Sequence, residues 1–165
     1  MEGTKLNKAV LLDRDGVINR ERGDYTYRIE DLEVNPGVVE ALRIFRDKGY
    51  KLIVITNQGG IAKGLYSREE MEALNKYLTD IMEQQGIELL DIYYCPHHPS
   101  HGNCICRKPD SLLLEKAIAR YGLDASSSYF IGDTERDITA GTKAGVMTIR
   151  TEPNSNLLTI VNLVK

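Results

Sequence analysis

The stretch Ala9-Val10-Leu11-Leu12-Asp13-Arg14-Asp15-Gly16 is a short apolar run that ends in two carboxylates two residues apart. Four apolar residues in succession read as a strand buried on both faces. Such a strand needs helices on either side of its sheet, and the rest of the chain supplies them. Further strands are read at 52–55, 91–94, 129–131 and 146–149. Between them lie helical patterns. Asn35-Pro36-Gly37 opens the first helix, with Asn35 as N-cap and Pro36 at the first helical position. Val38, Ala41, Leu42 and Phe45 form its apolar stripe, and Gly49 ends it. Ser67-Arg68-Glu69-Glu70 is a capping box for the second helix, whose apolar face carries Met71, Leu74, Leu78, Ile81 and Met82 before Gly86. A third helix spans 113–121 and stops at Gly122. A fourth spans 138–144 and stops at Gly145, and 156–164 closes the chain as one last short helix.

Apolar strands alternating with amphipathic helices give an α/β fold with a parallel sheet covered on both faces. Right-handed crossovers make it doubly wound and Rossmann-like. In such folds chemistry sits at the carboxyl ends of the strands, beside the switch in strand order. Polar, reactive residues follow four strands here: Asp13 and Asp15, then Thr56 and Asn57, then Cys95, then Gly132-Asp133.

The bulk properties set limits. The chain has 165 residues, 42% apolar and 27% charged, which fits an ordinary globular domain. With 21 basic and 24 acidic residues the net charge is −3, so nothing electrostatic favours nucleic acid or an anionic membrane as partner. No apolar run approaches a membrane span, and the first eight residues lack a signal core. A cytoplasmic location is expected. All three cysteines lie between Cys95 and Cys106, which in a reducing compartment reads as metal binding.

Each strand end offers a specific chemistry. One carboxylate of Asp13-Arg14-Asp15-Gly16 can attack an electrophile and hold a cation while the other donates a proton. Thr56-Asn57-Gln58-Gly59-Gly60 offers a hydroxyl, two side-chain amides and flexible backbone amides suited to phosphate oxygens. Arg107-Lys108-Pro109 brings two cations that can neutralise a phosphate dianion. Asp133 can give Mg²⁺ an oxygen ligand, with Asp137 one helical turn behind it. If the first and fourth strands are neighbours across the switch, the acidic groups need a cation while the lysine and amides need an anion. Mg²⁺ with a phosphate monoester satisfies both.

These residues resemble the four ordered motifs of haloacid dehalogenase-like phosphatases: 11–19, Thr56-Asn57-Gln58, Cys106-Arg107-Lys108-Pro109 and Gly132-Asp133. More narrowly, Gly60-Ile61-Ala62-Lys63-Gly64 and Tyr93-Tyr94-Cys95-Pro96-His97-His98-Pro99 resemble the heptose 1,7-bisphosphate 7-phosphatase subfamily. The likeness covers about 9–146. The related histidinol-phosphate phosphatases share the cysteine loop, but usually carry Gln where this chain has Arg14, and they lack the Ile-Ala-Lys-Gly stretch.

The resemblance implies that 1–165 is one phosphatase domain without a large cap, with a zinc-binding loop, 95–106, inserted in it. It implies Asp13 as nucleophile forming an aspartyl-phosphate, and Asp15 as the acid that protonates the leaving sugar oxygen and then activates water. Asp13, Asp133 and the main-chain carbonyl of Asp15 are expected to hold Mg²⁺. Thr56 and Lys108 are expected to position the phosphoryl group. Asn57 and Arg107 are expected to read the substrate, with Gln58 and Gly59 beside them and Glu21-Arg22-Gly23-Asp24 as a substrate-facing flap.

Cys95, His97, Cys104 and Cys106 form two close ligand pairs, which fit a closed, structural Zn²⁺ site. His98 and His101 are rival donors, and His97 is preferred. The stretch from His97 to Cys104 is shorter than the subfamily pattern. The reading is a Mg²⁺-dependent phosphatase, expected as a monomer, acting on a small sugar bisphosphate and removing its 7-phosphate. The alternatives are a histidinol-phosphate phosphatase, a receiver-like domain and a zinc-stabilised binding module. A receiver requires an aspartate where Cys95 ends the third strand.

Overall fold

The computed structural model describes residues 3–165. Five strands form one parallel sheet: β1 (Ala9–Leu12), β2 (Lys51–Asn57), β3 (Asp91–Cys95), β4 (Tyr129–Gly132) and β5 (Met147–Arg150), in the order β3-β2-β1-β4-β5. The order reverses between β1 and its neighbours, so the switch point falls beside Asp13. Leu12 pairs with Ile131 and with Val54, which aligns the carboxyl ends of the three central strands.

Alternation along β1 divides the core. Val10 and Leu12 face one layer with Val38, Leu42 and Phe45 of α1 (Val38–Asp47) and Leu78 and Met82 of α2 (Arg68–Gln84). Ala9 and Leu11 face the other, with Leu114 and Ala117 of α3 (Leu112–Tyr121) and Ala140 of α4 (Glu135–Ala144). Each of the Val, Leu, Phe and Met side chains among them, fully removed from water, contributes about 1.5–3 kcal/mol. The doubly wound expectation therefore holds, with helices on both faces.

Several boundaries differ from the sequence reading. The first helix begins at Val38, not Pro36, with Gly37 as its N-cap at φ 73°. Asn35 is not a cap. It is buried, its Nδ2 donates to the Val17 carbonyl at 3.2 Å and its N–H to that of Ile18 at 2.9 Å. α2 keeps its capping box, with Glu70 N–H donating to Ser67 Oγ at 3.1 Å and Ser67 N–H to Glu70 Oε2 at 2.8 Å. α4 begins three residues before the expected start, because Asp137 accepts from the Thr134 N–H at 3.2 Å and hydroxyl at 3.0 Å. β2 runs on through Thr56 and Asn57, which pair with Tyr94 and Cys95. The chain closes in a 3-10 helix, Leu157–Leu163, capped by Asn156. Among the described residues no helix is long and apolar enough to cross a membrane.

Candidate active site

The carboxyl ends of β1, β2 and β4 open into a cavity of about 560 Å³. At its base the carboxylates of Asp13, Asp133 and Asp137 bring oxygens within 4.8 Å of one another. Gly16, at φ 91°, makes this approach possible, because a Cβ there would overlap the Asp133 carboxylate. Lys108 reaches in from the turn before α3. Its ammonium donates to Asp13 Oδ1 at 2.9 Å and to the Ile55 carbonyl at 2.9 Å, and it pairs with Asp137 Oδ1 at 2.7 Å.

Burial pushes the Asp13 carboxyl well above its usual value despite Lys108, and the negative neighbours Asp137 and Asp133 add to the effect. Burial and Asp137 also raise Asp133. Burial alone would raise Asp137 too, but the Lys108 ammonium overrides it and holds Asp137 below the usual range. Lys108 is only 2% exposed, yet the two carboxylates raise its pKa and keep it charged. Asp133 Oδ1 is buried with no hydrogen-bond partner. An orphaned carboxylate oxygen beside a second, destabilised carboxylate suits a divalent cation of hard character.

Asp15 is fixed by donors from three directions: Asn19 Nδ2 at 3.0 Å, Gln58 Nε2 at 3.0 Å and Arg14 Nη2 at 3.3 Å. Thr56, Gly59, Arg107 and the flap residues Glu21, Gly23 and Asp24 line the cavity. Gly59 leaves room there, since a Cβ would meet Arg107 Nη1 at 3.0 Å and His98 Cδ2 at 2.9 Å.

Two residues expected to face substrate are placed otherwise, and a third reaches the cavity with its amide already engaged. Gln58 is 2% exposed. It donates to Asp15 and to Thr56 Oγ1 at 2.9 Å, and its carbonyl accepts from Tyr66 at 2.6 Å. Both its polar ends are thus engaged inside the protein. Arg22 lies outside the cavity lining and pairs with Asp31 at 3.1 Å. Asn57 touches the cavity, but its amide is bonded to the Lys108 main chain.

Other cavity residues were not anticipated. Tyr25, Thr26, His98, Thr134 and Arg136 complete the lining. Partial burial and the cations Lys63, Arg107 and Arg136 hold the His98 imidazole below its usual value, so this side of the mouth is basic. The flap is seated on Tyr66, whose ring stacks on Tyr27 with centroids 4.9 Å apart and lies 5.8 Å from Tyr25. Gly60 admits the Tyr66 ring, which would overlap any Cβ there. Asn154, at φ 61°, fastens the start of the flap by accepting from the Glu21 N–H at 2.6 Å and donating to its carbonyl at 2.9 Å.

Beside the cavity, Cys95, His97, Cys104 and Cys106 bring one ligand atom each within 4.8 Å of the others. His97 Nδ1 lies 3.5 Å from Cys95 Sγ and 3.2 Å from Cys106 Sγ. His98 and His101 instead both turn to Ser100 Oγ, at 2.7 and 2.8 Å. Three sulfurs and one imidazole nitrogen converging on one point form the donor set of a closed tetrahedral zinc site.

A doubly wound sheet with clustered aspartates and a buried lysine at its switch point is the architecture of a haloacid dehalogenase-like hydrolase. The family model of that description, haloacid dehalogenase-like hydrolase, matches residues 4–145. The chain is 41% identical over 145 residues to the D-glycero-alpha-D-manno-heptose-1,7-bisphosphate 7-phosphatase of Photorhabdus laumondii, covering 84% of this chain and 79% of that one. It is 41% identical over 160 residues to the D-glycero-beta-D-manno-heptose-1,7-bisphosphate 7-phosphatase of Helicobacter pylori strain 26695, covering 96% and 87%. A solved D,D-heptose 1,7-bisphosphate phosphatase from B. bronchiseptica, complexed with magnesium and phosphate, superposes with a TM-score of 0.83 at 28% identity, covering 94% of this chain and 86% of that one. The chain belongs to the haloacid dehalogenase-like hydrolases, and within them it is a phosphatase. Phosphatases of this family use Mg²⁺.

Proposed function

We propose that this phosphatase removes the 7-phosphate of a D-glycero-D-manno-heptose 1,7-bisphosphate through an aspartyl-phosphate on Asp13. The observation that carries the reading is the donor set around Asp13: a buried ammonium 2.9 Å away and an orphaned Asp133 oxygen beside it. The names of the relatives support the substrate. Arg107 and Arg136 at the cavity mouth give a second phosphate cationic partners.

Asp13, Asp133 and the Asp15 main-chain carbonyl would hold Mg²⁺. When bound, the ion neutralises phosphate charge and keeps Asp13 ionised. The Asp13 carboxylate bonds to phosphorus as the bond to the sugar oxygen breaks, and the Asp15 carboxyl gives its proton to that oxygen. Asp15 then takes a proton from the water that hydrolyses the aspartyl-phosphate. Lys108 and Thr56 position the phosphoryl oxygens. Asp137 holds Lys108 from behind, and Asn57 and Gln58 act from behind as well, one on the Lys108 backbone and the other on Asp15.

Cys95, His97, Cys104 and Cys106 would hold structural Zn²⁺. Cys106 is bonded in sequence to Arg107, and Arg107 Nη1 donates to the His97 carbonyl at 3.2 Å. The metal loop therefore aims the two cations of the third motif. We read 1–165 as one domain. We read it as a monomer. Three unpaired cysteines in a ligand set fit a reducing compartment, and we place the chain in the cytoplasm.

The test is phosphate release over both heptose 1,7-bisphosphate anomers, histidinol phosphate and common hexose phosphates, with Mg²⁺. The expected result is preferential release from a heptose bisphosphate, at one position only. Preference for histidinol phosphate, or no turnover, would overturn the reading.

A further inference from the structure

Arg14 stands between the two aspartates of the first motif and is 1% exposed. A buried guanidinium needs acceptors for its donors, because an unpaired one is costly; here Nε is buried without a partner, and the two terminal nitrogens carry the contacts. Its Nη1 donates to Asn75 Oδ1 of α2 at 2.8 Å. Its Nη2 donates to the main-chain carbonyl of Thr26 at 2.9 Å and lies 3.3 Å from Asp15 Oδ1 and 3.2 Å from Asp15 Oδ2. One nitrogen thus holds both the flap and the carboxyl group, while the other ties the fork to a helix.

The segment 21–26, which carries the flap Glu21–Asp24 and the two residues after it, is fastened at two points. Asn154 holds Glu21 at one end, and Arg14 holds the buried Thr26 at the other. Gly23, Asp24 and Tyr25 lie between these points and line the cavity. A lysine could supply the charge at Arg14. It could not reach Asn75, Thr26 and Asp15 together, because it ends in one nitrogen rather than a planar fork.

We propose that Arg14 is a positioning residue that sets the Asp15 carboxyl in register with the flap, through the one nitrogen that Thr26 and Asp15 share. This rests on the reading of Asp15 as proton donor. In the first step the phosphorus–oxygen bond to the leaving alcohol breaks, the Asp13 carboxylate takes the phosphoryl group, and the Asp15 proton goes to the departing oxygen. A sugar alkoxide leaves poorly without that proton, whereas a nitrophenolate leaves without it. Loss of alignment is therefore read as a loss that depends on the leaving group. A general disturbance of the phosphate site slows both substrates alike.

The experiment compares kcat/KM for heptose 1,7-bisphosphate and 4-nitrophenyl phosphate, with Mg²⁺, in the wild type, Arg14→Lys, Asn75→Ala and Asp15→Asn. This parameter covers steps through departure of the alcohol and leaves out hydrolysis of the aspartyl-phosphate. Arg14→Lys is expected to lose about 10²-fold on the sugar, the scale of a misplaced catalytic group, and only a few-fold on the aryl ester. Asn75→Ala frees the fork from α2 without touching the cavity and is expected to show the same pattern at about 10-fold. Asp15→Asn shows it most strongly, at about 10²–10⁴-fold. If Asp15→Asn shows the pattern while Arg14→Lys and Asn75→Ala lose equally on both substrates, or lose nothing, the positioning role is overturned. If Asp15→Asn itself loses equally on both, the proton-donor reading fails and takes the proposal with it. Circular dichroism establishes that each variant is folded. Should Arg14→Lys not fold, Asn75→Ala decides.

Discussion

Asn57 and Lys108 hold each other by two hydrogen bonds across a gap of 51 residues. Asn57 Nδ2 donates to the Lys108 carbonyl at 3.1 Å, and the Lys108 N–H donates to Asn57 Oδ1 at 3.0 Å. Both bonds use the Lys108 main chain, which leaves its ammonium free to reach Asp13 and Asp137. The end of β2 thereby sets the position of the cation that approaches from the turn before α3.

Asn57→Asp tests this. The substitution keeps the acceptor for the Lys108 N–H but sets an anion against the Lys108 carbonyl. Turnover is expected to fall about 10–100-fold through misplacement of Lys108. Stability is expected to fall by about 1–3 kcal/mol, the cost of an unsatisfied buried acceptor. Steady-state kinetics and thermal unfolding measure the two. An unchanged kcat would mean that the Lys108 backbone is held by other contacts.

Asp13→Asn is expected to abolish turnover while leaving the protein folded. An amide is a poor nucleophile and a poor Mg²⁺ ligand. The fold tolerates it because Lys108 keeps Asp137 and the Ile55 carbonyl as partners. Activity near the wild-type level in freshly purified variant would rule out the covalent route.

The cysteine cluster gives a compositional prediction. Zinc is expected to co-purify at about one ion per chain. Cys104→Ser is expected to lower stability and activity together, because the loop that aims Arg107 and Lys108 loosens while no reacting group is lost. Elemental analysis of protein prepared without chelator decides the first point, and an absence of zinc there removes the site.

The Lys108–Asp137 pair predicts an acid-dependent contribution to stability. Asp137 is held below the ordinary carboxylate value of 3.8 when folded. A depressed folded pKa contributes stability that is complete above the unfolded value and is lost as pH falls through the folded one. Asp137→Asn removes that contribution and strands part of a buried pair, which costs about 3–5 kcal/mol near neutral pH. The gap between wild type and variant is expected to narrow below about pH 4. Urea unfolding of the metal-free proteins at a series of pH values measures it, and a gap that does not change with pH would contradict the assignment.

What the sequence made legible depended on how far apart the partners lie. The β1 run and its two aspartates are contiguous, and the alternation of strands and helices forces β1 to the centre. The meeting of Asp13 with Asp133 followed from that. The Cys/His cluster was legible because all four residues fall within twelve; the sequence already prefers His97, and the structure turns His98 and His101 to Ser100. The amides were not legible. Gln58 and Asn57 look like ligand-facing groups in a polar stretch, but their partners Asp15 and Lys108 are distant in sequence, and Tyr66 lies eight residues on, across a turn. Asn35 failed as a cap for the same reason, since its amide is drawn inward by Val17. Arg14 was read only as a subfamily difference, and Tyr66 and Asn154 carried no local signal of their contact with the flap. Two features left a signal that could have been read. Thr134 and Asp137 have capping-box spacing, and Arg136 lies in the same motif as Asp133.

The last prediction concerns the preference for a bisphosphate. Lys108 sits at the base of the cavity against Asp13, Asp137 and the Ile55 carbonyl, beside the reacting phosphate rather than the remote one. Arg107 follows it at the cavity wall and makes one hydrogen bond there, to the His97 carbonyl. The rest of its planar fork is available to a second phosphate or to sugar hydroxyls, with two parallel hydrogen bonds that a lysine could not reproduce. Binding energy from that remote end can be used to orient the scissile phosphate, and it then raises kcat/KM for the bisphosphate above that for the same sugar carrying one phosphate. Arg107→Ala is therefore expected to narrow the preference by about 10-fold or more, the scale of a lost charge-assisted bond, while slowing an aryl phosphate only slightly. Gly59→Ala, which pushes a methyl against Arg107 Nη1, is expected to act in the same direction. The measurement is kcat/KM for the bisphosphate and the monophosphate in all three proteins. Equal losses on both would place Arg107 on the reacting phosphate and shift the source of the preference to Arg136 or to the flap between Glu21 and Asp24.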